Sequence, residues 1–196
     1  MNAQAKELLL QSLEHERGGV KVYRAALQCV ENQDLREEWD RYHEQTQRHV
    51  QVLTEVCAAV GLDANEETPG SKIVQSLGAA LVAAMEQARK GGNGEAAQIV
   101  ACECVVLAET KDHLDWELIG ALAEKSKGEQ MRALKDAYNE VEDQEDEHLY
   151  HTRGWCRELW LKSLGLKAVL PPPEERKHVK TAISAARAEQ ARDQMR

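Results

Sequence analysis

With 196 residues, 42% of them hydrophobic, the chain is long enough for one domain with a substantial core and one appendage. Its net charge of -9 argues against nucleic acid or an anionic membrane as the main partner, because both are bound by clustered Lys and Arg. No apolar stretch approaches the roughly 18 residues of a membrane span, and Met1 to Ser12 has no signal-like apolar core, so a soluble cytoplasmic protein is expected.

There are 12 Gly, only 4 Pro and no Phe, while strong helix formers dominate, which points to an all-α fold. The five Cys (Cys29, Cys57, Cys102, Cys104 and Cys156) form no C-x-x-C pair and read as reduced, buried small side chains.

Helix one is predicted over 3–31. Its apolar stripe of Leu9, Leu13, Val20, Tyr23, Leu27 and Val30 is interrupted by Glu16, where a Leu would be expected. Asp34 and Glu37 have the form of a capping box opening helix two. There Leu35, Trp39, Tyr42, Leu53, Val56 and Val60 flank a central Thr46 and His49, and Gly61 closes the helix. A loop over 61–71 and an Ala-rich helix to Lys90 read as a crossover connection, ended by the Gly-rich stretch 91–94.

Helix three, over about 95–125, has the stripe Cys102, Val105, Trp116, Ile119 and Ala123 with Glu109 and Asp112 at its centre. Ser126 and Glu129 suggest a second capping box, which opens helix four over 128–162. Its inward positions are Met131, Leu134, Tyr138, Val141, Thr152, Trp155 and Leu159, with Glu145 and His148 mid-stripe. Side chains three apart on one face can reach a common ion, and buried ionisable groups are costly without such a partner. Tyr23, Tyr42, Trp116 and Trp155 beside the polar layer read as core packing, and His43, His113 and His151 lie beside the stripes. After Gly165, the run Pro171-Pro172-Pro173 ends the helix, and a polar tail with Val179, Ile183 and Ala186 is expected to pack on a partner subunit or to be mobile.

In this order, Glu16 with Tyr23 seven residues on, Glu109-Thr-Lys-Asp112, and Glu145-Asp-Glu-His148 resemble the ligand motifs of the ferritin-like superfamily, especially rubrerythrin-type and small ferritin-like metal-binding proteins. The resemblance covers about residues 5–163. It implies a ferritin-like four-helix bundle over 1–165 with an extra crossover helix, followed by a Pro-rich linker and C-terminal helical tail over 166–196. It also implies metal ligands Glu16, His49, Glu109, Asp112, Glu145 and His148 holding two iron ions, with manganese sharing the same ligand chemistry.

Two departures from that pattern stand out. Thr46 occupies the place of a helix-two Glu, which leaves one metal or an altered second position unless Glu44 or Gln45 turns inward. No rubredoxin-like C-x-x-C knuckles are present, so any redox cycle needs an external electron donor. The implied activity is reaction with peroxide or dioxygen, as a peroxidase or ferroxidase, by an expected homodimer; a metal-binding protein without turnover, serving iron sequestration or stress protection, is a second reading. The alternative is a metal-free or mono-metal bundle, acting as an interaction or structural protein, whose polar layer is satisfied internally.

Overall fold

The computed structural model describes residues 1–195, apart from the side chains of Met131 and Asp193. Met131, the first apolar position expected on the fourth stripe, therefore falls outside the described side chains. The chain is all helical, with α1 (Ala3–Ala26), α2 (Gln33–Ala59), α3 (Pro69–Lys90), α4 (Gly94–Lys125), α5 (Gly128–Ser163), α6 (Pro173–Arg176), α7 (Ala182–Ala191) and a final 3-10 turn, and it has no strand among the described residues. No helix is long and apolar enough to cross a membrane.

The four long helices close a ring in which α1 packs on α2 and α4, and α5 packs on α4 and α2. Cross-contacts fix their directions. His15 meets the Ala108 carbonyl while Glu31 and Asn32 meet Gln98, so α1 and α4 are antiparallel. Arg48 with Glu140 and Trp39 with Thr152 make α2 and α5 antiparallel as well. The crossover α3 runs alongside α1, from Gly70 at Glu7 to Met85 at Cys29.

Because α3 covers a second face of α1, Leu10, Val22 and Ala26 are buried as well, while the stripe residues Val20 and Leu27 stay half-buried. On α5, Ala137 is buried in place of Tyr138, whose ring lies against Gly120 so closely that a Cβ there would meet it at 2.6 Å. All five cysteines are free, and all but the half-buried Cys156 are buried.

Helix boundaries differ from the sequence expectation where tertiary contacts act. α1 ends at Ala26 because the turn after it is held by Arg36, which donates to the carbonyls of Leu27 (2.9 Å) and Val30 (2.5 Å), and by buried Gln98, which accepts from the amides of Glu31 (2.8 Å) and Asn32 (2.7 Å). Helix two is capped by Asn32, whose side chain accepts from Leu35 N at 3.1 Å, so Asp34 lies in the first turn and makes no capping box with Glu37. Ser126 turns back onto α4, its hydroxyl donating to the Leu122 carbonyl at 2.9 Å, so α5 begins after Lys127 without a side-chain cap.

The tail folds onto its own chain. Glu158, fully buried, accepts from Val169 N (2.7 Å) and from both Nε and Nη2 of Arg192, while Arg157 makes a bidentate pair with Glu174 at 2.7 and 2.9 Å. Val179 and Ala188 bury against Leu149 and Tyr150, and Ile183 points outward, 66% exposed. Two apolar clusters fill the bundle, one around Tyr23, Trp39 and Trp155, the other around Leu13, Leu53 and Trp116. The polar layer lies between them.

Removing one member of a buried ion pair leaves the other charge uncompensated. Glu158→Ala is therefore expected to cost about 3 kcal/mol, measured as a lower midpoint in urea, with the C-terminal segment becoming the first site of limited proteolysis.

Candidate metal centre

Each bundle helix contributes to one layer midway along its length. Glu16 comes from α1, His49 from α2, Glu109 and Asp112 from α4, and Glu145 and His148 from α5, and all six are at most 3% exposed. His49 Nδ1 lies 2.9 Å from Glu145 Oε1 and 3.5 Å from Glu16 Oε1. His148 Nδ1 lies 3.5 Å from both Glu109 Oε2 and Glu145 Oε1. Two trios result, Glu16/His49/Glu145 and Glu109/Glu145/His148, each with ligand atoms within 4.8 Å of one another. Glu145 belongs to both.

The donor atoms do not satisfy one another. Glu16 Oε2, His49 Nδ1, Glu109 Oε2, Asp112 Oδ1, both Glu145 oxygens and His148 Nδ1 are buried without a hydrogen-bond partner. His49 Nδ1 and Glu145 Oε1 stand at hydrogen-bond distance without hydrogen-bond alignment. Lone pairs that converge on common space rather than on a donor fit a shared cation, and buried unpaired polar atoms are otherwise rare and costly. Carboxylate oxygens with two imidazoles are a donor set that can hold a divalent metal.

The outer atoms, in contrast, are anchored. Trp116 Nε1 donates to Glu16 Oε1 at 2.8 Å. His49 Nε2 meets Gln144 Oε1 and His148 Nε2 meets Gln45 Oε1, each at 3.0 Å. The Tyr42 ring packs on His148 with centroids 4.1 Å apart. Each imidazole is thus held by its far nitrogen and presents Nδ1 to the carboxylates.

The arrangement has an approximate internal two-fold relation. Glu16 and Tyr23 on α1 correspond to Glu109 and Trp116 on α4, and Gln45, Thr46 and His49 on α2 correspond to Gln144, Glu145 and His148 on α5. The relation fails at Thr46, the counterpart of Glu145. The Thr46 hydroxyl donates to the Tyr42 carbonyl at 2.9 Å and its methyl faces Gly19, where a Cβ would approach it to 3.1 Å. Gly19 is itself the counterpart of Asp112.

Burial shapes the electrostatics. It pushes the Glu109 carboxyl up to about 8 and Glu145 up to about 7, the latter against a downward pull from His49. Asp112 is held well above its usual range by burial and then by Glu16, Glu145 and Glu109. Burial lowers His148 to about 4, whereas at His49 it is outweighed by Glu16 and Glu145, which raise that imidazole well above its ordinary value.

Of the six residues predicted as ligands, five fall into the two trios. Asp112 is buried beside them but belongs to neither. Glu44 stays exposed, and Gln45 turns in to His148 instead of supplying a carboxylate. Gln144 is a site residue that the stripe does not identify; its signal is the repeated Gln-x-x-x-His spacing. Glu38 is another. It is buried on α2, where it accepts from Tyr42 OH (2.7 Å) and Trp155 Nε1 (2.8 Å) and pairs with His151 Nδ1 (2.8 Å). His113, beside the stripe, pairs with Asp146 at 3.2 Å.

In comparisons with known proteins, no family model, no curated protein and no solved structure matches this chain.

Carboxyls whose folded pKa lies above the unfolded value bind more protons in the native state, so their stabilising contribution is present at low pH and is lost as pH rises through the folded value. The metal-free protein is expected to lose stability progressively as pH rises from the ordinary carboxyl value of 4.5 to the folded values of about 7 for Glu145 and about 8 for Glu109, with Glu175 (about 7) adding in the same direction. His148 opposes this over the lower part of that interval, between its folded value of about 4 and the ordinary 6.5. Metal binding needs the deprotonated carboxylates, so uptake should strengthen across the same interval with release of protons, measurable by calorimetry in two buffers. A flat profile in both measurements would contradict this account.

Proposed function

We propose that the chain is a ferritin-like, non-haem di-metal protein that binds two iron ions, or manganese in their place, and reacts with peroxide or dioxygen. The observation that supports this most directly is the pair of trios sharing Glu145, with six of their buried donor atoms, and Oδ1 of the neighbouring Asp112, left without partners. Glu16 and His49 would hold one ion, Glu109 and His148 the other, and Glu145 would bridge them. When bound, a reduced iron pair supplies the two electrons that cleave the O–O bond of peroxide.

The protein's own residues do the rest. Trp116 fixes the Glu16 carboxylate, and Gln45 and Gln144 fix the two imidazoles. The apolar clusters on either side keep bulk water from the layer. Tyr23, whose phenol is pushed well above its usual range by burial and then by Glu109, holds its proton at an oxygen buried in the site. Electrons to restore the reduced state must come from an external donor, since the five cysteines form no C-x-x-C pair.

A metal-free bundle, serving as an interaction or structural protein, is the competing reading, favoured by Thr46. Elemental analysis of freshly purified protein, paired with an anaerobic ferrous titration, decides between them. Two ions per chain, followed by peroxide consumption, are the expected result; no metal and no uptake would overturn the proposal.

Substitutions should separate the positions. Glu145→Ala is expected to abolish binding of both ions, while His49→Ala should weaken one and leave the other, read as a stoichiometry near one. Equal stoichiometry in all three proteins would rule out Glu145 as the shared ligand.

A further inference from the structure

Gln45 precedes His49 by four residues on α2, and Gln144 precedes His148 by four on α5. Residues four apart lie on one helix face, so each Gln is beside the His of its own helix. Yet each amide serves the His of the other helix, Gln45 Oε1 meeting His148 Nε2 and Gln144 Oε1 meeting His49 Nε2, both at 3.0 Å. The orientation of Gln144 is fixed independently, because its amide NH2 donates to the Glu140 carbonyl at 3.1 Å and leaves only oxygen to face His49. An oxygen there accepts, so His49 carries a hydrogen on Nε2. On the other side Gln45 Oε1 faces His148 Nε2 at the same distance, and that acceptor puts a hydrogen on His148 Nε2.

We propose that Gln45 and Gln144 are the positioning residues of this centre, locking the far nitrogen of each imidazole as N–H so that Nδ1 is presented to the metal. The inference rests on the metal-centre reading and adds to it a tuning role. A carboxylate on the far nitrogen makes an imidazole more basic, whereas a neutral amide accepts the same hydrogen bond with no added charge. Two neutral partners keep both imidazoles moderate donors in a layer already crowded with carboxylates, which favours the divalent state of a bound metal over the trivalent one. The crossing also makes the ligands of each half depend on the packing of α2 against α5.

A purely structural role for the amides would be indifferent to tautomer, and that separates the two. The first measurement is nitrogen-15 NMR of labelled histidine in the metal-free protein at pH 7. His148 is expected to show a protonated Nε2 and a bare Nδ1. In Gln45→Leu the lock is lost, and Nδ1–H becomes populated because Glu109 and Glu145 oxygens lie 3.5 Å from that atom. Gln45→Glu keeps an acceptor and should keep the wild-type tautomer.

The second measurement is Co2+ titration followed by visible absorption. Gln45→Leu should weaken binding at one position by about 10- to 100-fold, with Gln45→Glu binding as tightly as wild type or more so. Unchanged tautomer and affinity in Gln45→Leu overturn the proposal, as does a loss in Gln45→Glu equal to that in Gln45→Leu, which would mean that packing alone is at stake. No cobalt uptake by the wild-type protein would overturn the metal-centre reading and the positioning role together, whereas retained uptake with an unlocked wild-type His148 overturns only this inference.

Discussion

A layer of carboxylates and imidazoles with converging, unpartnered atoms sits between two apolar clusters, and the unfavourable burial of that layer governs the rest of the structure. Taking a carboxylate out of water costs several kcal/mol, on the order of what a whole small domain has as net stability, so such a layer persists only where something compensates it. Part of the compensation is local: Trp116 serves Glu16, the two amides serve the imidazoles, and burial holds protons on Glu109 and Glu145 up to about 8 and about 7. The inward atoms remain uncompensated within the protein. A cation would complete the layer, and the length of the four helices is what holds its ligands at one height while each donor stays anchored from behind.

The near two-fold relation clarifies where the layer is strong and where it is thin. On the α4/α5 side, Asp112 and Glu145 bring two carboxylates next to His148 and Glu109. On the α1/α2 side, the corresponding positions are Gly19 and Thr46, which touch each other and supply no oxygen to the layer. The asymmetry makes Glu145 the single acid common to both halves. Asp112, on the fuller flank, is held well above its usual range by burial first, then by Glu16 from across the layer and by Glu145 and Glu109 beside it.

Much of this was legible from periodicity, because a helix face recurs every three or four residues and a Glu or His on that face has only the interior to occupy. Glu16, His49, Glu109, Glu145 and His148 were found that way, as were the long helices themselves. What escaped was whatever depends on contacts between distant segments. The end of α1 is set by Gln98 and Arg36, not by any local stop signal, whereas α2 opens on a local cap by Asn32 that the pattern of Asp34 and Glu37 obscured, and Ser126 bonds back onto α4 instead of capping α5. Gln45 and Gln144 sit at the edge of the stripe, where a polar residue reads as solvated until the facing helix is known. Glu38 was hidden for the same reason, since its partners Tyr42, Trp155 and His151 come from two helices.

The tail belongs to this same scheme and is not an independent appendage. The Val179 carbonyl meets His151 Nε2 at 3.1 Å, His151 Nδ1 meets Glu38, Glu38 accepts from Tyr42, and the Tyr42 ring lies on His148. The first and last members of that series are a residue of the C-terminal segment and an inferred metal ligand. Burial of Glu38 alone would raise its carboxyl, yet the bonds from His151, Tyr42 and Trp155 hold it below its ordinary value, so the anionic form is the one the network is built around. His148 is thereby constrained on every side, with Tyr42 against its face, Gln45 on its outer nitrogen and the carboxylates before its inner one. A ring so held cannot swing toward solvent without breaking contacts that also fasten the tail, so the order of the tail and the geometry of the site are set by one continuous set of interactions.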